Sequence, residues 1–285
     1  MPKTYSELYI AARRALRGAG VEAYGLEARL IVAHAAGKTA EKLVQSMNLY
    51  TSDDVERRTG EYLARRLAGE PTAYITGEWE FYGLPMLVTR DTLIPRADTE
   101  VLVDTALALL RGRKNDARIL DLCCGSGCIG CALAKELPLS RVVMADISSA
   151  ALAVARQNAE RNGLAVRTAF AEADAMQPPP MYLGSFDMIV CNPPYIETAE
   201  IETLDESVRL YEPHAALDGG ADGLVFYRAV LNRWRGSLRL ASELVFEIGE
   251  TQAEDVIRLM RLAGLKGVEC VKDTAGHDRV VYGRI

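Results

Sequence analysis

Three things are missing from this sequence. No uninterrupted apolar run approaches the ~18 residues that a membrane span needs, and the N-terminal stretch has no apolar core of a secretory signal. A cytoplasmic protein with no membrane partner is the expectation. Basic charge is not in excess either: 33 Lys and Arg stand against 39 Asp and Glu, for a formal net charge of −6. That balance argues against a large non-specific footprint on nucleic acid, although a local basic patch stays compatible with it. Histidine is scarce. The three residues, His34, His214 and His277, form no constellation, and no G-x-S-x-G occurs, which argues against a hydrolase.

What is present is ordinary for a chain with a real core: 49% hydrophobic and 25% charged residues. A length of 285 residues corresponds to about two domains. The six cysteines, with no secretion signal ahead of them, are expected to be reduced thiols.

Residues 1–70 read as a small all-helical domain. Thr4-Tyr5-Ser6-Glu7 fits a capping box, in which hydroxyl and carboxylate satisfy first-turn amides. Leu8, Ala11, Ala12, Ala15 and Leu16 then recur at helical spacing until Gly18 and Gly20 stop the run. Further helices are expected over Leu26–Ala36, Ala40–Gln45 and Asp53–Leu67. His34 reads as a core-edge residue, and the Arg57-Arg58 and Arg65-Arg66 pairs as a solvated face. Nothing here carries chemistry, so partner recognition is the role expected by analogy.

Residues 71–92 read as a linker. Two β-rich runs, 74–82 and 85–89, flank Gly83-Leu84 and suggest a hairpin. Leu93-Ile94-Pro95-Arg96-Ala97-Asp98-Thr99-Glu100 then leads into a helix expected over Thr99–Leu110.

Residues 93–285 read as an α/β domain. Arg118–Leu122 is a buried strand, and Cys123-Cys124-Gly125-Ser126-Gly127 is a tight turn into a helix. Arg141–Asp146 is a second strand ending in an acid, at the distance from Gly127 where a ribose-binding acid belongs. A helix over Ser149–Asn162, a strand over Val166–Phe170 and the acid Asp174 repeat the unit. This βαβαβ order implies a parallel, doubly wound, Rossmann-like sheet. The turn satisfies G-x-G-x-x-G, so a dinucleotide oxidoreductase must be weighed, but the match alone is weak. Cys128-Ile129-Gly130-Cys131 is a literal C-x-x-C, yet no second Cys/His cluster lies near it. Small packed hydrophobes are the simpler reading, and no metal is expected.

The stretch that organises the rest is Asn192-Pro193-Pro194-Tyr195, after the apolar run Phe186–Cys191. Two prolines cannot continue a ladder, because neither has an N–H. An amide, two bare carbonyls and a ring therefore emerge at a strand's carboxyl end, where α/β sheets bind ligands. The polar segment Ile196–Leu224 is long for a loop and is expected to act as a lid or substrate clamp, with Glu212 as a structural acid at its base. A strand over Leu244–Ile248, a helix over Gln252–Leu262, and antiparallel strands near Gly267–Lys272 and Arg279–Tyr282 should close the sheet.

Together, Asp-Leu-x-x-Gly-x-Gly, the acids after the second and third strands, and Asn-Pro-Pro-Tyr resemble a class I methyltransferase dependent on S-adenosylmethionine (AdoMet) and acting on a planar nitrogen. The tetrapeptide is shared by adenine-N6 DNA and RNA methyltransferases and by protein glutamine methyltransferases. Leu93–Glu100 is similar to the Ile-Pro-Arg-Pro-Asp/Glu-Thr-Glu signature of the PrmC/HemK family, the peptide chain release factor glutamine methyltransferases. Gly69-Glu70-Pro71, Phe81-Tyr82-Gly83-Leu84, Glu212-Pro213, Gly220-x-Asp222-Gly223-Leu224, Glu247-Ile248-Gly249 with Gln252, and Asp273-x-x-Gly276-x-Asp278-Arg279 also resemble that family, over essentially the whole chain.

The resemblance implies AdoMet as cofactor and the glutamine of the Gly-Gly-Gln loop of class 1 release factors as substrate. It implies no stable nucleic-acid binding, and a monomer is expected. Asp121, Cys123, Cys124, Gly125, Ser126, Gly127, Asp146, Asp174, Ala175 and Asn192 are the expected cofactor-binding residues. Asn192, Pro193, Pro194 and Tyr195 would bind the substrate, with Asn192, Pro193 and Tyr195 catalytic. Two alternatives remain: an adenine-N6 nucleic-acid methyltransferase, and a non-catalytic AdoMet-binding docking module. The sequence also departs from the pattern. Ala97 replaces the signature's second proline, and Cys123-Cys124 replaces a Gly-Thr/Ser start to the turn. If position 123 requires a positive φ, Cys is costly there, and cofactor affinity is the property at stake.

Overall fold

The computed structural model describes residues 3–111 and 116–285, which form two compact units: 1–78 with 205–211, and 79–204 with 212–285.

The first unit is helical: α1 (Tyr5–Gly18), α2 (Tyr24–Ala35), α3 (Ala40–Gln45), α4 (Asp53–Leu67) and α5 (Thr72–Thr76). The capping box forms as expected, with the Glu7 amide donating to Thr4 Oγ1 at 3.2 Å and the Thr4 amide to Glu7 Oε2 at 2.7 Å. Tyr5, Leu8, Ala12 and Leu16 place one stripe of α1 in a core with Ile31, Val32, Leu43 and Val55. His34 sits at the core's edge, half-buried, 5.1 Å from the Tyr62 ring, and desolvation holds its pKa down.

One expectation fails here. Residues 74–76, expected as the start of a strand, are instead the end of helix α5 (Thr72–Thr76), so the first hairpin strand begins only at Glu78. Pro71 opens the turn, and Gly77, at φ +71°, closes it by donating to the Ala73 carbonyl. This bracket, with Thr72, Ala73, Tyr74 and Ile75 all buried, overrides the β propensity of Tyr-Ile-Thr.

The second unit begins with the hairpin β1 (Glu78–Phe81) and β2 (Leu84–Leu87), whose turn is Tyr82-Gly83. Both turn residues have positive φ, +53° and +66°, as a type I′ hairpin requires. Then come α6 (Glu100–Leu110), β3 (Arg118–Leu122), α7 (Cys128–Glu136), β4 (Arg141–Asp146), α8 (Ser149–Arg161), β5 (Thr168–Glu172) and β6 (Phe186–Cys191). A short α9 (Glu206–Arg209) lies in the stretch that groups with the helical unit. The chain ends with α10 (Val225–Arg233), β7 (Leu238–Glu247), α11 (Ala253–Leu262), β8 (Lys266–Lys272) and β9 (Asp278–Arg284).

The seven-stranded sheet runs β5-β4-β3-β6-β7-β9-β8, parallel except at β9, as the Rossmann-like reading expects. β3 pairs with both β4 and β6, so the chain reverses its direction across the sheet between β3 and β6. That is the switch point at which open α/β sheets form a crevice. β6 is buried along its whole length. Its Asp187 is satisfied by the Arg118 amide and the Arg239 guanidinium, each at 2.8 Å. Two strands differ from expectation. β5 starts two residues later, after a 3₁₀ turn at Ala165–Arg167. β7 starts at Leu238, because an irregularity with Ala241 at φ +62° lets residues 238–243 accompany only 186–188 of β6.

Candidate active site

The glycine turn follows β3. Asp121 is fully buried, and its Oδ2 accepts the Gly130 amide of α7 at 2.8 Å. Its Oδ1 is also buried and meets no donor among the described residues. Burial pushes this carboxyl up to about 7, opposed by the Gly130 bond and helped by Asp146. Glycine is required at 127 and 130 for close packing. A Cβ at Gly127 would meet Ala155 Cβ and Met144 Sδ at 2.9 Å, and one at Gly130 would meet Met144 Cε at 2.7 Å. Gly125, at φ +52°, faces open space.

Cys123 does adopt a positive φ, +62°, so the left-handed conformation flagged in the sequence is present, and a Cβ there costs about 1–2 kcal/mol. Cys124 is buried, with its amide on the Ala145 carbonyl and its own carbonyl accepting from Gly127. Ser126 is buried, and its carbonyl accepts from Asn158, which also exchanges bonds with both Leu87 backbone groups. Asn158 thus ties β2 to the turn from inside the fold.

Asp146, at the end of β4, accepts the Gly125 and Ser148 amides at 2.9 Å each. Burial nonetheless raises its pKa. The acid bends toward the glycine turn and fixes its distance from it. Asp174 lies past β5, with Oδ1 on the Met176 amide at 2.7 Å. Ala175 is buried in the core, and its carbonyl accepts from Trp234 Nε1 at 3.1 Å.

All six cysteines are free, and among the described residues no group of three His, Cys, Asp or Glu is arranged to hold a metal. Burial pushes the thiols of Cys124, Cys128 and Cys191 up, and that of Cys131 to about 12, so they pack as neutral hydrophobes.

Asn192-Pro193-Pro194-Tyr195 leaves β6 beside this turn, because Cys191 is in register with Leu122 of β3. Both prolines are buried, while Asn192 and Tyr195 keep partial access. The Tyr195 backbone is held in place. Its carbonyl accepts from Gln252 Nε2 at 2.9 Å, and Gln252 Oε1 accepts from the Gly249 amide and the Tyr227 hydroxyl. A Cβ at Gly223 would sit 2.4 Å from the Tyr195 carbonyl oxygen, and one at Gly219 would sit 2.7 Å from Tyr195 Cα.

The polar segment after the tetrapeptide is therefore ordered. Ile196 and Asp218 form a bridge, and Thr198 donates to the Gly220 carbonyl at 3.0 Å. Glu212 is the structural acid that was expected. It is buried, accepts the Ile94 amide at 3.1 Å and pairs with the Arg96 guanidinium, anchoring the 93–100 stretch.

A further group lies behind Asn192. Glu247 ends β7, is buried, and approaches the Tyr195 hydroxyl at 3.5 Å. Burial raises its carboxyl to about 7, against the pull of the Thr99 hydroxyl, the Arg279 charge and the Asn192 amide. Arg279 bonds Asp273 at 3.0 Å and lies 3.7 Å from Asp98. In the sequence, Glu247, Gln252 and Arg279 stood out only as fragments of a resemblance. The available signal was an acid closing an otherwise apolar strand.

Two family models match the chain, one described as the methyltransferase small domain over residues 98–212 and one as the PrmC N-terminal domain over residues 7–77. A release factor glutamine methyltransferase of Agrobacterium fabrum is 41% identical over 284 residues, covering 99% of this chain and 97% of its own. The protein of the same name in Geobacter sulfurreducens is 42% identical over 274 residues, covering 93% and 91%. Among solved structures, the hMettl16 catalytic domain in complex with the MAT2A 3′UTR hairpin 6 aligns at a TM-score of 0.59, over 78% of this chain and 81% of that one. At 16% identity that likeness is one of fold.

Proposed function

The chain belongs to the release factor glutamine methyltransferases, and from that premise we propose that it moves a methyl group from AdoMet to the side-chain nitrogen of the Gly-Gly-Gln glutamine in class 1 release factors. The observation that carries this reading is positional. Asn192 and the bare Pro193 carbonyl stand at the switch point, next to a glycine turn whose buried acid has an unsatisfied oxygen.

The residues present fit the cofactor. Asp121 Oδ1 is a carboxylate oxygen that a substituted ammonium would satisfy. Asp146 has lone pairs left for two ribose hydroxyls after accepting the Gly125 and Ser148 amides. Asp174, past β5, would accept from the adenine amino group through the oxygen that does not hold the Met176 amide. Residues 123–127 would supply close backbone, with Gly125 open on its Cα side, and Ala175 is a small buried residue next to Asp174 in the chain. AdoMet supplies a methyl already activated as part of a sulfonium.

The chain's own task is to position a poor nucleophile, since the lone pair of an amide nitrogen is delocalised into its carbonyl. Asn192 Oδ1 and the Pro193 carbonyl can each accept one N–H of the substrate amide. Two such bonds fix the nitrogen and favour the positive charge that develops on it. Proline suits position 193, because a residue without an N–H offers only an acceptor. Tyr195 presents a ring that can stack on the flat amide, and Gln252 holds its backbone still. The methylated amide cation is acidic enough to lose its proton to water. A substrate of translation termination fits a cytoplasmic protein, and a monomer that uses the helical unit for substrate recognition is part of this proposal.

Replacing Asn192 by Ala tests this. Methyl transfer to release factor should fall below detection, while AdoMet affinity by calorimetry stays within about tenfold, one hydrogen bond's worth. An unchanged rate would remove Asn192 from the mechanism.

A further inference from the structure

Glu247 is a buried carboxylate that the proposed chemistry leaves unused. Its strand, β7, runs parallel to β6 with Phe246 in register with Cys191, so Glu247 and Asn192 leave the sheet side by side. Glu247 Oε1 lies 3.5 Å from the Tyr195 hydroxyl. Glu247 Oε2 is buried and meets no donor at bonding geometry among the described residues, although the Thr99 hydroxyl and the Asn192 amide lie beside the carboxylate.

Arg279 and Asp98 face Glu247, Tyr195 and Tyr227 flank it, and Cys128 is near. The donors of Arg279 are directed at Asp273 and the Ile248 carbonyl, so it acts on Glu247 as a neighbouring charge.

An asparagine amide has two nearly isosteric faces, and its bonding partners decide which way it points. At Asn192 that choice matters. With Oδ1 toward the substrate, an acceptor meets the substrate N–H. With Nδ2 there, donor meets donor.

We propose that Glu247 is a positioning residue that sets this choice: its ionised carboxylate accepts the Asn192 Nδ2–H and leaves Oδ1 free for the incoming amide. The inference rests on the function proposed above for Asn192 and adds what orients it. When Glu247 is protonated, its O–H donates to Asn192 Oδ1 instead, and the amide turns its donors toward the substrate. Burial places that ionisation at about 7. The competent orientation is therefore populated above that pH and lost as pH falls through it.

The isosteric variant Glu247→Gln can donate or accept and has no charge to titrate. Two measurements on full-length protein decide the matter. The first is the side-chain amide NMR signal of Asn192, labelled with ¹⁵N-asparagine and assigned by its loss in Asn192→Ala. It should move with pH near neutrality in the wild type and stand still in Glu247→Gln. The second is kcat for methyl transfer to release factor. Glu247→Gln should lower it about ten- to a hundredfold, the effect of one hydrogen bond to a charged group, and erase the acidic limb of the wild-type pH profile, with AdoMet affinity unchanged. An Asn192 signal that ignores pH, or an acidic limb that persists in Glu247→Gln, overturns the inference. A wild type with the titration but no transfer to release factor would overturn the proposed function and leave the orienting role standing on the amide signal.

Discussion

At the scale of single residues, the site combines positions that stabilise the fold with positions that burden it. Asp121 is the clearest burden, a buried carboxylate with one oxygen bonded to Gly130 and the other unpartnered. Its pKa is raised from 3.8 to about 7. Between those values the folded state binds more protons than the unfolded state, so this group's contribution to stability is fully present at low pH and lost as pH rises. Asp121→Asn keeps an acceptor for Gly130 and removes the titration. Denaturant unfolding should show the variant gaining on the wild type from pH 4 to pH 7, by on the order of a few kcal/mol. AdoMet binding should weaken at least about tenfold, by loss of a charged partner. A stability difference that stays flat with pH would contradict this account of Asp121. Cys123 is a second burden, a non-glycine residue at φ +62° in the turn. It was legible in the sequence, because the family pattern has glycine there and the backbone keeps the conformation that glycine serves.

At the scale of elements, strands and helices with strong local signals were readable. The capping box of α1, the bounds of α4, and β3, β4 and β6 all fall where pattern and punctuation put them. Two departures from the pattern have different physical causes, tertiary context outweighing propensity in one and a missing periodicity in the other. Thr72–Thr76 became helix because Pro71 and Gly77 bracket it and the interior buries it. The start of β7 was invisible because an irregular stretch around Ala241 has no periodicity to read. Likewise, Asn192–Tyr195 was visible as a local punctuation of β6, whereas Glu247 and Arg279 come together through the pairing of β7 with β9, and Thr99 joins them from the turn ahead of α6.

The segment after the tetrapeptide shows how elements hold the site. Its glycines press on Tyr195 where no Cβ fits. Gly223→Ala, at φ +64° with Tyr195 O only 2.4 Å from the new Cβ, should displace that carbonyl and break its bond to Gln252. Transfer should drop at least about tenfold with AdoMet affinity intact, since misplaced acceptors lose near-attack geometry. Full activity in Gly223→Ala would mean that the Tyr195 backbone position is unimportant.

At the scale of the whole molecule, two compact units share one chain, and the helical unit recruits residues 205–211 from within the second unit's sequence. Among the described residues no helix is long and apolar enough to cross a membrane. Fold class was legible from the βαβαβ order, and the family from motifs spread over the whole length. The inclusion of 205–211 in the helical unit was not, because nothing local in Asp205–Tyr211 distinguishes a loop from a returning segment. The central claim is that the planar group held at Asn192 is a glutamine amide, and its most direct test is to locate the transferred methyl. Purified protein, labelled AdoMet and full-length release factor, with DNA and RNA in parallel, should yield one methyl on the side-chain nitrogen of the Gly-Gly-Gln glutamine by tandem mass spectrometry. Label on nucleic acid alone, or on no acceptor at all, would contradict it.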